Sequence, residues 1–234
     1  TALSASVTGL TNGTTYWFRI AAVNAVATGP DSAAMPEGVM ASDVPAAPSI
    51  DSVTPLDGAL LVQVSDGATH SPVTGWEYSL HDEDCQSAAH SGNQLTLAGL
   101  RNGTQYDFRV RARNVVGASG PSPSATGTPR AVPGAPDALV ATPSAGAVAL
   151  AWNPPGSDNG SAVTDYVVQR ATSQGGPWTT ISEGVGTTTA TVVTGLPNGT
   201  DHLFRVAAVN AAGTGQYSAV ASATPFTTPD APVV

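Results

Sequence analysis

Apolar and polar residues alternate in short runs along most of the chain, and this period of two indicates half-buried β-strands. In the clearest run, Tyr106, Phe108, Val110 and Ala112 predict a buried face, and the Asp and Arg residues between them predict the opposite face. No stretch shows a sustained helical period. The pattern therefore predicts an all-β protein with almost no helix.

One stretch occurs three times and organises the rest. It reads GLTNGTTYWFRIAAVN from Gly9, GLRNGTQYDFRVRARN from Gly99 and GLPNGTDHLFRVAAVN from Gly195. Asn-Gly is a strong turn signal, because both residues tolerate positive φ. Each copy thus predicts a turn followed by a strand, here called the anchor strand. The copies are 90 and 96 residues apart, which predicts a tandem repeat of roughly that length.

Ala-Pro pairs at Pro48, Pro136 and Pro232 mark the opening of successive repeats. We therefore expect the C-terminal half of one repeat in 1–43, complete repeats in 44–130 and 131–226, and the start of another in 227–234. The first segment should hold three strands, LSASVTGL, TYWFRIAAVN and GVMASD, with an apolar face that other strands, from this chain or a second one, would cover. Short Pro-containing linkers favour a semi-rigid, extended array.

Three features together resemble the fibronectin type III domain of bacterial or phage proteins: the NGT-x-Y-x-F-R-V run, the Ala-Pro opening, and AVALAWNPPGSDNGSAVTDYVVQR from Ala147. The resemblance implies tandem immunoglobulin-like sandwiches of seven β-strands. It places Trp152 and Tyr166 at the family's core aromatic positions. The second repeat departs from the pattern, with Val62 or Val64 in place of the core Trp, and we expect Trp76 and Tyr78 to compensate.

The same resemblance places Tyr16 and Tyr106 at the family's tyrosine corner, where the hydroxyl bonds to nearby backbone. His202 replaces this tyrosine in the third repeat, so the hydrogen bond of that corner is in doubt. Asn-Gly-Ser/Thr triplets, which fit the glycosylation pattern, begin at Asn12, Asn102, Asn159 and Asn198. Three of them coincide with the turn before an anchor strand, and we favour the turn interpretation.

Composition narrows the function. Charged residues make up 11% of the chain, the net charge is −9, and all eight basic residues are Arg. An acidic chain is a poor ligand for nucleic acid or for anionic membranes, and no apolar run is long enough to span a bilayer. Cys85 is the only cysteine, so no disulfide can form within the chain.

Residues that could carry chemistry are sparse. The chain contains none of the common nucleotide-binding, hydrolase or zinc motifs. The tract from Asp82 to Asp84, beside Cys85, could suggest a Ca²⁺ loop, but three consecutive carboxylates cannot all converge on one ion. A solvated hairpin tip is the favoured interpretation. We expect no enzymatic activity, no cofactor and no metal site.

Trp17 is the candidate interaction face, because it lies on the outward parity of the first anchor strand and exposed Trp is enriched at binding hot spots. It could stack on a sugar or pack against a neighbouring domain, or it could be an isolated surface aromatic. The Arg stripe of the second anchor strand suggests an anion patch or, preferably, cross-strand pairing. We expect Glu77 to face that stripe, and Asp165 to lie beside Arg205.

The sequence thus predicts a non-enzymatic spacer and adhesion array in a large surface-exposed protein. Its expected partners are neighbouring repeats and a protein or carbohydrate ligand, and its expected location is extracellular or on the cell surface. Two alternatives remain open. One is a structural component of a phage virion, such as a tail or decoration protein. The other is an accessory array of a secreted polysaccharide-degrading enzyme.

Overall fold

The computed structural model describes residues 4–81, 83–181 and 184–227. Throughout that part of the chain, every regular element is a β-strand and no helix occurs. The predicted all-β class is confirmed. The alternation predicted for the second anchor strand is also confirmed, with Phe108, Val110 and Ala112 buried and Asp107 exposed.

The chain divides into two compact units. The first comprises Thr1–Thr54, Leu61–Leu97 and Tyr106–Gly127. The second comprises Pro55–Leu60, Ala98–Gln105 and Thr128–Val234. The second unit therefore contains the third repeat together with the turns at one end of the second repeat.

The first segment is less regular than its sequence predicts. Its strands are β1 (Thr15–Tyr16) and β2 (Val39–Met40), which pair antiparallel. The strand expected in LSASVTGL is absent from the described residues of that stretch. The anchor segment bonds on one side to the chain that follows it, for example from the Gly29 N–H to the Ala22 carbonyl at 2.8 Å. A β-strand forms only where it is hydrogen-bonded to a neighbouring strand, and here the paired stretch is two residues long.

The second repeat consists of strands β3 (Ser49–Leu56), β4 (Ala59–Ser65), β5 (Gly75–Leu80), β6 (Gln86–Ser87), β7 (Ala89–Ser91), β8 (Gln94–Ala98), β9 (Tyr106–Arg113) and β10 (Ala125–Gly127). They form two four-stranded sheets, ordered β3-β4-β8-β7 and β10-β9-β5-β6. The segment between β5 and β8 supplies two short strands, β6 and β7, one to each sheet.

The third repeat has the same plan. Its strands are β11 (Asp137–Ser144), β12 (Ala147–Asn153), β13 (Asp165–Ala171), β14 (Thr179–Ile181), β15 (Ala190–Thr194), β16 (His202–Asn210), β17 (Gly213–Tyr217) and β18 (Ala221–Ala223). One sheet has the order β11-β12-β15 and the other the order β14-β13-β16-β17, with β18 also paired to β16. Both β17 and β18 pair with β16, and the ladder between β16 and β17 contains a bulge.

Each complete repeat buries the inward side chains of both its sheets. In the third repeat one cluster joins Leu150 and Val193 of the first sheet to Val168, Phe204 and Val206 of the second. In the second repeat Val62 and Val64 are both buried, as are Trp76 and Tyr78 on β5. Burying one such side chain contributes roughly 1.5–3 kcal/mol, so these clusters provide the main stabilisation.

The Asn-Gly turn of each complete repeat is hydrogen-bonded to another turn and to the last residues of the same repeat. The Asn102 side chain accepts the Gly58 N–H at 2.9 Å, and the Gly103 N–H binds the Pro129 carbonyl at 2.9 Å. In the third repeat Asn198 accepts the Gly146 N–H at 2.8 Å in the same way. A side chain held in this manner is a structural part of the turn, which supports the turn interpretation of these triplets over glycosylation.

The asparagine that closes the second and the third anchor strand is a second recurrent tie. The buried Asn210 amide donates to the carbonyls of Ala131, Asp158 and Ser161 at 2.8, 2.9 and 3.1 Å. In the second repeat the Asn114 amide donates to the Asp43 carbonyl at 2.7 Å. These asparagines fix the linker that enters a repeat to the end of that repeat's anchor strand.

Candidate interaction faces

Trp17 projects from the first anchor strand on the side predicted by its parity. Its side chain is 62% exposed, whereas Tyr16 and Phe18 on either side are half-buried and stack with ring centroids 6.4 Å apart. The indole lies against the backbone of Gly38, where an added methyl group would meet its Cε2 at 2.8 Å. The indole is therefore supported by Gly38, and most of its surface is exposed.

Large exposed apolar side chains are numerous in the first segment. They are Val7, Trp17, Ile20, Val23, Val26, Met35, Val39 and Met40. Exposed apolar surface typically marks interaction sites where it is contiguous. We call the exposed surface of the Trp17 side chain the Trp17 face.

The predicted tyrosine corner is formed at Tyr16, whose hydroxyl accepts the Thr11 N–H at 3.0 Å. This hydrogen bond lowers the pKa of the Tyr16 phenol. Tyr106 occupies the same place in the second repeat, with its ring centroid 5.8 Å from that of His81. These tyrosines therefore lie at structural positions at the base of their anchor strands.

His202 is 2% exposed, and neither of its ring nitrogens has a hydrogen-bond partner among the described residues. The reason the third corner differs lies five residues earlier. Tyr16 bonds the N–H of Thr11, but the residue five positions before His202 is Pro197, which has no N–H to offer. The sequence carried this signal, and it explains why a tyrosine gains nothing there.

Trp152 and Tyr166 lie together in the core of the third repeat, each 5% exposed, with ring centroids 5.4 Å apart in a T-shaped contact. Such a pair contributes about 0.5–1.5 kcal/mol beyond its buried area. Burial raises the pKa of the Tyr166 phenol. Both residues serve packing rather than binding.

The Arg stripe of β9 is held by neighbouring groups. Arg113 forms an ion pair with Glu77, which faces the stripe from β5 as expected. Arg109 donates to the Ser122 carbonyl at 3.2 Å. These contacts favour cross-strand pairing over an anion site.

Comparison with known proteins agrees with the two-sheet architecture of the second and third repeats. The profile of the fibronectin type III domain matches residues 59–128 and 134–224. The chain belongs to the fibronectin type III family. The second and third repeats are therefore fibronectin type III domains, and the predicted tandem sandwich architecture is confirmed.

The relatives of these fibronectin type III domains are long proteins. Myomesin-2 of Homo sapiens is 30% identical over 91% of this chain and 16% of its own length. Exoglucanase B of Cellulomonas fimi is 30% identical over 91% of this chain and 21% of its own length. A crystal structure of titin domains is 17% identical, with a TM-score of 0.49, over 93% of this chain and 77% of that one. The chain thus spans 16–21% of the length of these two curated relatives.

Arg205 of the third fibronectin type III domain forms a cluster that the sequence did not reveal. Its guanidinium lies 4.1 Å from the ring centroids of both Trp178 and Tyr217, and its Nε and Nη2 donate to Gln169 Oε1 at 2.9 and 2.7 Å. The prediction that Asp165 lies beside Arg205 is wrong, because the register places Asp165 opposite Val209. Tyr217 ends β17, which pairs with β16, and Trp178 directly precedes β14.

We expect Arg205→Lys to destabilise the third domain by about 1 kcal/mol, because an ammonium cannot stack between two rings or form the paired bonds to Gln169. Chemical denaturation of the full chain, resolved by hydrogen exchange of β16, measures this effect. The matched control repeats the substitution in a Trp178→Leu background. There the cost should be clearly smaller, and equal costs in both backgrounds would contradict the cluster's role.

The acidic tract shows no sign of a cation site. Asp82 lies outside the described residues, and Glu83, Asp84 and Cys85 are exposed. Among the described residues no group of three or more His, Cys, Asp or Glu side chains could hold a metal ion. A search of the same residues finds no helix that is long and apolar enough to cross a membrane.

Proposed function

We propose that this chain is a non-enzymatic spacer and adhesion segment of a large surface-exposed protein, located outside the cell or on its surface. Its partners are neighbouring fibronectin type III repeats, with a protein or carbohydrate ligand bound at the Trp17 face. The acidic character of the chain argues against nucleic acid as a partner.

One observation carries the spacer role. The closing asparagines Asn114 and Asn210 hold the linker that enters each complete repeat to the end of its anchor strand, and the turn asparagines Asn102 and Asn198 join two turns within the same repeat. A device repeated at each linker supports a chain whose task is to set the position of one module relative to the next. Catalysis requires positioned acids, bases or nucleophiles instead.

A second candidate function is an accessory array of a secreted polysaccharide-degrading enzyme. The similarity to exoglucanase B over 91% of this chain supports it. In that case the array would hold the catalytic domain of the enzyme at a distance from its neighbouring modules, and the Trp17 ring would stack on a sugar. The two proposals share the mechanical role and differ in the ligand.

The spacer role is tested by an in-frame deletion. Asp43 and Ala131 receive the same bond from a closing asparagine, so removal of residues 44–131 joins equivalent points of two linkers. We expect the shortened chain to stay folded and to lose roughly 30–40 Å of its maximum dimension in small-angle X-ray scattering, about one sandwich of ordinary strand length plus its turns. Unchanged dimensions would contradict the spacer role.

The Trp17 face is tested by binding to cellulose and to candidate partner proteins, comparing Trp17→Ala with Val115→Ala, an exposed apolar control in the second repeat. For a spacer with one weak face we expect Trp17→Ala to cost less than about 2 kcal/mol, the hot-spot threshold. A larger loss confined to Trp17 would make recognition the main function. A loss specific to cellulose would favour the accessory array.

A further inference from the structure

Two of the three Asn-Gly turns are covered by a loop of the repeat that follows. The covering loop is always the one between the second and third strands of that repeat. In the second unit, Gly160 of the loop between β12 and β13 lies on Gly103, where an added methyl group would meet the Gly160 Cα at 3.0 Å. In the first unit, His70 of the loop between β4 and β5 lies on Gly13, where a methyl group would meet the ring Nε2 at 3.3 Å.

These contacts come with bonds that hold the loop in place. The Asn159 side chain donates to the Val132 carbonyl at 2.7 Å, and the Ala131 N–H donates to the Asn159 carbonyl at 2.9 Å. His70 pairs with Asp43 at 3.0 Å, and this hydrogen bond lowers the pKa of the Asp43 carboxyl. Each linker therefore brings the loop of the incoming repeat onto the turn glycine of the preceding one.

The third turn is built in the same way, and its glycine is open. The Gly199 N–H binds the Pro225 carbonyl at 2.8 Å, as the Gly103 N–H binds that of Pro129 at 2.9 Å. A methyl group added to Gly199 would meet nothing within 4 Å among the described residues. A shallow depression adjoins it, with an uncharged lining of Asn198, Gly199, Thr224, Pro225, Phe226 and Thr227.

We propose that the turn at Gly199 is a docking site for a further fibronectin type III repeat, which it binds through the loop between that repeat's second and third strands. The occupant is a loop that presents a glycine at positive φ or a flat ring, as Gly160 and His70 do, since a protruding side chain would not fit against a turn backbone. An uncharged lining suits such a loop, because it adds no like-charge repulsion to an acidic array.

This inference rests on the proposed function for the identity of the partner, and it is tested separately from it. The test uses the whole chain, 1–234, extended by a second copy of residues 139–226. The sequence at Pro229–Pro232 repeats the Pro-x-Ala-Pro spacing of Pro133–Pro136, so the chain's own residues supply the linker. Isotope label is confined to the added copy by segmental ligation, and its tumbling is measured by ¹⁵N relaxation.

We expect the added copy to share the rotational correlation time of the third repeat, and the Gly199 amide signal to shift when the copy is added. Gly199→Asn should release the copy into faster, independent tumbling. Gly195→Asn is the matched control: its φ of +70° is close to the +75° of Gly199, and nothing lies within 4 Å of it among the described residues. Asn tolerates positive φ at both positions, so strain is comparable and only the docking contact differs.

Independent tumbling of the copy on the unsubstituted chain would overturn the proposal, as would equal effects of the two substitutions or a copy that does not fold. Association of separate chains, seen as tumbling that slows with concentration, would also count against it. The spacer role could survive any of these results, because its own test is the deletion of residues 44–131.

Discussion

Asn210→Asp is expected to destabilise the fibronectin type III domain of the third repeat by about 3 kcal/mol or more, although the amide and the carboxylate have the same shape. The Asn210 amide nitrogen faces three carbonyl oxygens at 2.8–3.1 Å and is buried. A carboxylate cannot donate to any of them and places a charge among their oxygens. Each buried group left unpaired costs roughly 1–3 kcal/mol, and an unpaired charge costs more.

The matched control is Asn24→Asp in the first segment. Within the described part of the chain, Asn24 bonds through its side-chain oxygen, which accepts the N–H groups of Val26 and Ala27 at 2.9 and 3.0 Å, and it is exposed. A carboxylate makes the same two bonds, so the expected change is within about 0.5 kcal/mol.

Denaturation followed by hydrogen exchange of β12 and β16 measures the effect in the third domain. The Gly134 amide, which binds the Ser157 carbonyl at 2.9 Å beside this site, should exchange faster in Asn210→Asp. Parent-like stability of Asn210→Asp would show that the amide does not hold the linker.

The tyrosine corner gives the second large effect. Tyr106→Phe should destabilise the second domain by about 1–3 kcal/mol, because it removes a hydroxyl from the place where Tyr16 forms its backbone bond. Arg101, five residues earlier, retains the N–H that Thr11 uses in the first copy. Urea denaturation with hydrogen exchange of β9 provides the measurement, and midpoints equal to the parent's would contradict the expectation.

In the third domain His202→Tyr alone should be close to neutral, since Pro197 cannot donate. Combined with Pro197→Arg it should stabilise, with a coupling of about 1 kcal/mol in a double-mutant cycle. The depression beside His202, lined in part by Arg170, Thr179 and Pro197, leaves room for the hydroxyl. Additive effects of the two substitutions would mean that the missing N–H is not why histidine is accepted there.

The sequence was sufficient to predict features that depend on local pattern. Alternation predicted the buried face of β9, and the Asn-Gly-Thr repeats predicted turns that the structure shows bonded at Asn102 and Asn198. Both follow from φ preferences and side-chain parity, which neighbouring residues determine.

Features that depend on partners could not be predicted in this way. The first segment has strand-forming residues, but only Thr15–Tyr16 and Val39–Met40 pair as strands, because a ladder needs a second strand. The Arg205 cluster depends on the register between β13 and β16, which sets Gln169 opposite Arg205 and moves Asp165 four residues away. The alternation of residues along a strand predicts on which face of the sheet a side chain lies, but only the register between two strands determines which residues are neighbours.

The bonds between turns and linkers have an evolutionary consequence. The Gly103 and Gly199 amides bind the carbonyls of Pro129 and Pro225, and Asn114 and Asn210 bind the carbonyls of Asp43 and Ala131. In each case the linker contributes only its main chain, which every amino acid possesses. A gene segment cut between such linkers can therefore be duplicated, lost or exchanged without losing these four bonds, so unequal recombination can change the number of units in one step.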